Sequence, residues 1–400
     1  MTKNIFHMKK GVAMALAAVL FSALMMSCRE SVAPSRPLPP YVSSLLADTL
    51  SEGFRPLSDF NPKDHNRDIA VVGSLERVSF IAEALMEADL FNNIDGKKGG
   101  DGLTDFAGEV ISPMFDMAFA PYSEVVKDSG ALKMSDVAVR NLIMALDTLV
   151  YPNNYDWEHR LAKRRAKVVI LASPEMSAYA MNDIDTLLSV AGKDVPVISV
   201  VDAMLDEAFE KNPMARNFCV FTPDSTVLPL YEACLKRQAA ARSLEGVTVT
   251  AACCPSDTSA NFLLSFLDIR RAAGTSISPA DVLLLDDFSL DPRDVSATLE
   301  AILNPYSEET LANNKLISGR FSIVSASDAV SRKCYSILRG HNLFTHNIAW
   351  PKSECYVTSK VGDASLKYSL LPFSFHYLKP EESVFIMANS PKTMEAYVQN

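Results

Sequence analysis

The 400 residues contain no Gly-x-Ser-x-Gly elbow, no Gly-x-x-x-x-Gly-Lys-Ser/Thr loop, no Gly-x-Gly-x-x-Gly turn and no His-Glu-x-x-His pair. The signals of a serine-hydrolase nucleophile, a nucleotide phosphate loop, a dinucleotide fingerprint and a zincin site are therefore missing. No Cys-x-x-Cys occurs, and neighbouring Cys253 and Cys254 cannot comfortably serve one tetrahedral zinc. There is no long Lys/Arg cluster, and 38 basic against 48 acidic residues leave a net charge of -10. That balance argues against a nucleic-acid surface, because phosphate binding needs a basic patch. Glycine is scarce, 15 in all, and 48% of the chain is apolar, which excludes collagen-like and wholly disordered sequence. The length suggests about two domains, since single cores stop growing near ~250 to 300 residues.

What is present begins at the N-terminus. Residues 1–27 carry Lys3, Lys9 and Lys10 with no acid, then an apolar run from Gly11 to Met26 broken only by Ser22. The run is shorter than the ~20 residues a helix needs to cross a bilayer, and Arg29-Glu30-Ser31 follow at once, so it reads as a cleaved signal peptide. Leu24-Met25-Met26-Ser27-Cys28 resembles a bacterial lipobox, with Met26 departing from the usual small residue. That resemblance implies acyl chains on Cys28 and attachment to a membrane without a spanning helix. Arg29, where an acidic residue can retain lipoproteins at the inner membrane, leans toward the outer membrane of a bacterial cell envelope. Cleavage lowers the charge from -10 to -13. Residues 28–66, with Pro34, Pro37, Pro39, Pro40, Pro56 and Pro62, read as the lipidated cysteine and a tether. Cys219, Cys234, Cys253, Cys254, Cys334 and Cys355 remain in a compartment that permits disulfides, with 15 possible pairings; buried, small apolar thiols are the plainer reading for most of them.

From Arg67 onward, short β-branched runs alternate with segments of helical period, the pattern of parallel sheets covered by helices. Strands are expected at 68–72, 167–172, 195–201, 217–221, 247–252, 281–285 and 321–325. Helical stripes are expected around Leu75 to Met86, Met181 to Ala191, Val227 to Leu235, Val295 to Leu303 and Ser331 to Leu338. The fold class is α/β, with two doubly wound parallel-sheet lobes at 67–210 and 211–340 and a cleft between them. An insertion spans about 91–165, and 341–400 form a small β-rich extension with extended runs at 355–358, 367–371 and 383–388.

The succession of 68–72, 167–172, 195–202, 217–224, 281–287 and 320–327 resembles the type I periplasmic binding protein fold over roughly 67–340. The resemblance implies a ligand clamped between lobes that close by hinge motion. At the strand ends, Ser74, Glu76, Ser173, Glu175, Asp202, Asp224, Ser225, Asp286, Asp287 and Ser325 are the candidate ligand-binding residues. Ser74, Asp224 and Ser225 also read as helix caps. Buried together, the five carboxylates of Glu76, Glu175, Asp202, Asp286 and Asp287 repel one another unless a cationic or polyhydroxylated ligand, or Ca²⁺, relieves them; facing water, they need no ligand. Tyr179, Tyr231 and Phe288 either stack on a sugar or pack in the core.

The chain is also similar to the two-lobed aspartate and glutamate racemases, which carry a Val-Pro-Val-Ile strand like that at 195–198. Racemase chemistry uses two thiols facing each other at corresponding strand ends. Those ends here read Ala172-Ser173-Pro174 and Asp286-Asp287-Phe288, without cysteine, which argues against that chemistry.

The Gly-, Asn- and acid-rich stretch Asn92 to Glu109 reads as a long surface loop; in the register of a twelve-residue Ca²⁺ loop it lacks the two strongest ligands. His341 and His346, five apart, do not share a helical face. The expectation is an exported, lipid-anchored protein that binds a small polar ligand between two lobes without catalysis, with no cofactor, no metal and no nucleic-acid partner. The alternatives are a surface interaction protein with a filled cleft, and a hydrolase or isomerase using acidic cleft residues.

Overall fold

The computed structural model describes residues 36–152, 156, 158–222, 225–252, 259–272, 278–287, 290–304, 307–347, 349–360 and 368–372. The signal peptide, Cys28, Cys253, Cys254, Asp224, Phe288 and the run 383–388 lie outside the described residues. A compact unit begins at Pro39. Its first helices, Pro40–Ala47 and Arg55–Ser58, fall inside the stretch read as a tether and bury Val42, Leu45 and Leu57. Pro40 and Pro56 occupy the first turns of these helices, where a missing N–H costs nothing, so they start helices instead of marking a linker.

Lobe 1 contains β1 (Asp68–Gly73), β2 (Val110–Phe115), β3 (Leu149–Val150), β4 (Leu161–Ala162), β5 (Ala166–Leu171) and β6 (Val197–Ser199). Lobe 2 contains β7 (Asn217–Phe221), β8 (Thr248–Ala252), β9 (Ala280–Leu285) and β10 (Ile317–Ser325), all parallel in the order β10-β9-β7-β8. The chain then returns to lobe 1 as β11 (Lys352–Ser353), β12 (Tyr356–Lys360) and β13 (Tyr368–Pro372). The larger sheet runs β13-β12-β2-β1-β5-β6, with β11 also beside β2; only the β12/β13 pair is antiparallel. Every residue of β1, β2 and β5 is buried, as a parallel sheet covered on both faces requires. The expected two α/β lobes are thus present, and the described strands after residue 341, β11, β12 and β13, join the lobe 1 sheet.

Two expected elements differ. The stretch 91–165 is no mere insertion: it supplies β2, next to β1, and the helical segment Tyr122–Leu146, which bends at Gly130. The strand expected at 195–201 stops at Ser199, whose hydroxyl accepts the Asp202 N–H at 3.2 Å and opens the helix Val200–Lys211. The helix cap prevails over the β preference of Val200 and Val201.

One hydrophobic core runs through both lobes. It joins Ile69 and Ile170 of lobe 1 to Phe218, Val282 and Leu284 of lobe 2 through Val78, Leu85, Met204, Leu205, Val330 and Leu338. The last six belong to the helices Leu75–Glu87, Val200–Lys211 and Ala326–Gly340. No helix among the described residues is long and apolar enough to cross a membrane.

Asp68 opens β1 with its side chain buried; it accepts the Ser112 hydroxyl at 2.7 Å and has only a 4.0 Å contact to Arg164. Burial pushes its carboxyl up to about 6. A raised carboxyl contributes stability that is fully present below its unfolded value near 4 and is lost as pH rises through about 6. Two pKa units correspond to about 3 kcal/mol. Asp68→Asn is therefore expected to remove a fall of that order between pH 4 and pH 7, seen in urea midpoints across this range. Parallel stability profiles for the two proteins would contradict this account.

Candidate functional site

The C-terminal ends of β1, β5 and β9 converge. Asp286 follows β9, its N–H bonded to the Phe221 carbonyl of β7 at 2.8 Å. From the first turn of the helix after β1, Arg77 reaches across from lobe 1 and grips Asp286 with both guanidinium nitrogens, Nη1 to Oδ1 at 2.7 Å and Nη2 to Oδ2 at 2.9 Å. The Asp286 side chain is 0% exposed and that of Arg77 17%. Burial pulls the guanidinium down, but the charge and hydrogen bonds of Asp286 outweigh it and hold the group above its ordinary value. Tyr231 is fully buried beside the pair; burial, and then the Asp286 charge, drive its hydroxyl well above the ordinary range.

Glu175 joins this group from the short helix Pro174–Tyr179. Burial raises its carboxyl and Asp286 adds to the rise, while its own amide, the Arg77 charge and a hydrogen bond with Ser173 hold it back in part. Ser173 caps that helix, accepting the Met176 N–H at 3.1 Å. Ser74 stands at the cap position before Leu75–Glu87, half-buried, and makes no capping bond. At the end of β2, buried Asp116 accepts hydrogen bonds from Tyr122 at 3.0 Å, Asn141 at 2.8 Å and Thr358 at 2.6 Å. Burial raises the Asp116 carboxyl despite these bonds.

Of the residues expected at the cleft, Ser173, Glu175 and Asp286 are brought together, with Ser74 at the adjoining strand end. Glu76 is exposed. Asp202 pairs with Arg237 at 2.7 Å and accepts from Gln238 at 3.0 Å, while Arg237 also bonds the Ser177 carbonyl at 3.1 Å. Asp287 is half-buried beside Asp286. Ser325 is a buried cap that accepts the Asp328 N–H at 3.2 Å. Ser225 lies in a single 3₁₀ turn, and its side chain is outside the described residues, as is Asp224. The five carboxylates do not gather into one cluster: Asp286 and Asp202 are neutralised by arginines and Glu76 faces solvent, while the Asp286 charge still adds to the rise of Glu175.

Arg77 was not among the residues expected from sequence. Its signal was a cation in the first turn of a helix, where the backbone dipole disfavours positive charge and a partner is needed. In the Asn92 to Glu109 loop, carboxylates and amides serve the backbone instead of an ion. Asp105 accepts the Leu90 and Phe91 N–H groups, Asp101 those of Asn93 and Leu103, and Asn92 those of Ile94 and Asp95. Among the described residues, no group of three or more His, Cys, Asp or Glu is placed to hold a metal ion. Cys219, Cys234, Cys334 and Cys355 are buried free thiols, and burial raises all four.

No family model and no curated protein matches the chain. Among solved structures it is similar to glutamate racemase isoform RacE1 from Bacillus anthracis, at 13% identity over 74% of this chain and 90% of that one, with a TM-score of 0.43. It is also similar to an aspartate racemase homologue from Pyrococcus horikoshii (11%, 69% and 99%, TM-score 0.31) and to unliganded arylmalonate decarboxylase (14%, 70% and 100%, TM-score 0.30).

Proposed function

We propose that the chain is an exported, lipid-anchored protein of the bacterial cell envelope that binds a small polar ligand between its lobes without converting it, in the manner of a type I periplasmic binding protein. The ligand-binding part of the reading rests on one observation, the Arg77–Asp286 pair that brings Glu175 and Tyr231 to a common point at the strand ends of both lobes, and the anchor rests on the sequence around Cys28. The Glu175 carboxylate is the acceptor that a ligand hydroxyl or ammonium satisfies. Attachment through Cys28 leaves about a dozen residues before the first packed helix, a reach of at most about 40 Å. A filled-cleft interaction protein is favoured by a different observation, the core shared between the sheets.

Native mass spectrometry of the soluble form from Arg29, before and after denaturation, tests the binding reading. A retained small mass, lost in Glu175→Gln, supports it. A bare chain whose melting temperature moves with no sugar, polyamine or amino acid transfers the weight to the filled cleft. For the anchor, Cys28→Ser is expected to move the protein from the membrane to the soluble fraction, because the acyl chains supply the attachment. An unchanged distribution refutes lipidation.

A further inference from the structure

The N-terminal ends of the lobe 1 strands, at the opposite end of the sheet from the Arg77–Asp286 group, concentrate positive charge in an acidic chain. Segments 63–67, 158–165 and 345–352, which lead into β1, β5 and β11, carry seven Lys and Arg against two acids, Asp64 and Glu158, where the whole chain has a net charge of -10. Three of the six histidines, His65, His159 and His346, lie in the same segments. Arg67, Glu109, Arg164 and Asn347 line one cavity of about 190 Å³, and the rings of His65 and His346 meet edge to face at 4.5 Å. The approaches to β1, β2, β5 and β11 therefore form one face.

Only part of this charge is taken up within the fold. Arg67 pairs with Asp64 at 2.6 Å, Arg165 lies 3.6 Å from Asp59, and buried Lys163 donates to the Ala145 and Arg164 carbonyls. Glu109 is neutralised by Lys167. Lys63, Arg160, Arg164 and Lys352 are exposed. Arg160 stands over the Tyr151 ring at 4.9 Å and donates to its hydroxyl at 3.0 Å, and Arg164 has a 4.0 Å contact to Asp68. Two large apolar side chains accompany them, Trp350 at 69% exposure and Leu161 at 47%. Tryptophan beside Lys and Arg suits a bilayer interface, where the ring sits at the headgroups and the cations meet anionic phosphates.

We propose that this face docks on a bilayer of anionic phospholipid, with Lys63, Arg160, Arg164 and Lys352 on the phosphates and Trp350 and Leu161 at headgroup level. The proposal rests on the reading of the chain as a membrane-attached envelope protein. The Tyr41 N–H bonds Asp136, and from there the helical segment runs about 16 Å to Asp147, beside the Thr148 carbonyl that accepts the Lys163 N–H. The residues between Cys28 and Pro40 reach about 40 Å, enough to lay this face on the lipid that holds the anchor.

Co-sedimentation of the soluble chain from Arg29 with vesicles of equal parts phosphatidylglycerol and phosphatidylcholine tests the face without any contribution from Cys28. Binding is expected, at least about tenfold weaker to phosphatidylcholine alone, and lost at about 1 M NaCl, where the screening length falls to about 3 Å. Lys63→Gln, Arg160→Gln and Lys352→Gln combined should cost about a hundredfold at an unchanged melting temperature, from about fivefold per cation near the surface. In Trp157→Phe, which leaves Trp350 as the one tryptophan, acyl chains brominated near the headgroup should quench the fluorescence. No sedimentation at low salt overturns the proposal, as does unchanged binding of the triple variant or an unquenched Trp350. Equally tight binding to heparin without quenching in vesicles overturns it too, reducing the face to a general polyanion site. Vesicle binding together with unchanged fractionation of Cys28→Ser in cells would uphold this face and reject lipidation.

Discussion

Arg77→Ala is expected to destabilise the folded unit by about 3–5 kcal/mol, the cost of stranding one partner of a buried ion pair. Asp286 is wholly enclosed and both its oxygens are committed to the guanidinium, so the variant must bury an unpaired carboxylate or open the lobes to admit water. Urea unfolding read by circular dichroism should show a lower midpoint. Replacing both partners with apolar residues, Arg77→Met with Asp286→Leu, should recover most of the loss, because the pair's attraction largely offsets its desolvation. A single variant as stable as the original protein would mean that Tyr231 alone satisfies Asp286. The same pair bears on function: a ligand that enters between the lobes must either leave Arg77 on Asp286 or exchange one carboxylate for another. The double variant tests this separately from stability, since a retained ligand mass there would remove the pair from the site.

Local chemistry explains which parts of this architecture were legible in the sequence. β1, β5 and β9 are contiguous apolar runs with both faces covered, and such runs announce parallel strands without help from neighbours. β2 was hidden by Pro113, which has no N–H to donate. The structure accommodates it by interrupting the adjoining edge: β11 pairs with Val110 and Ile111, β12 with Met114 and Phe115, and the break falls at Ser112 and Pro113. No local pattern reveals that residues 242 positions downstream will complete that edge. The candidate site was half legible for a related reason. Strand ends mark Ser173, Glu175 and Asp286, but whether a carboxylate there is free for a ligand depends on an arginine 209 positions away in sequence. Asp202 illustrates the converse, since a capping serine moved it from a strand end into a helix, where Arg237 takes it up.

Lys167→Met should produce a loss of similar size, about 3–5 kcal/mol near pH 7, with a pH dependence that identifies its cause. Lys167 Nζ lies 2.6 Å from Glu109, the two side chains being 2% and 1% exposed, and also donates to the carbonyls of His65 at 2.8 Å and Leu343 at 2.7 Å. Glu109 in turn accepts the Thr345 N–H at 2.8 Å, so the pair fastens the segment that leads into β11. Close packing at Gly108 supports the same junction: φ is +76° there, and an added Cβ would collide with the Asn347 carbonyl oxygen. Burial already raises the Glu109 carboxyl, and Lys167 opposes the rise. Without the lysine, the folded-state value climbs further. Stability of the variant is then fullest below the unfolded value and falls as pH rises through the folded one, so its deficit should be smallest near pH 4 and grow toward pH 8. Adding Glu109→Gln should flatten that dependence, because the glutamine has no charge to bury. Hydrogen exchange at the Thr345 amide should quicken in Lys167→Met before global unfolding, since this bond loses its anchor first. A deficit equal at pH 4.5 and pH 8 would assign the loss to the two abandoned carbonyls and not to the carboxylate. In that case Lys167 acts as a backbone clasp between the segments at His65 and Leu343, with Glu109 as its counter-ion only.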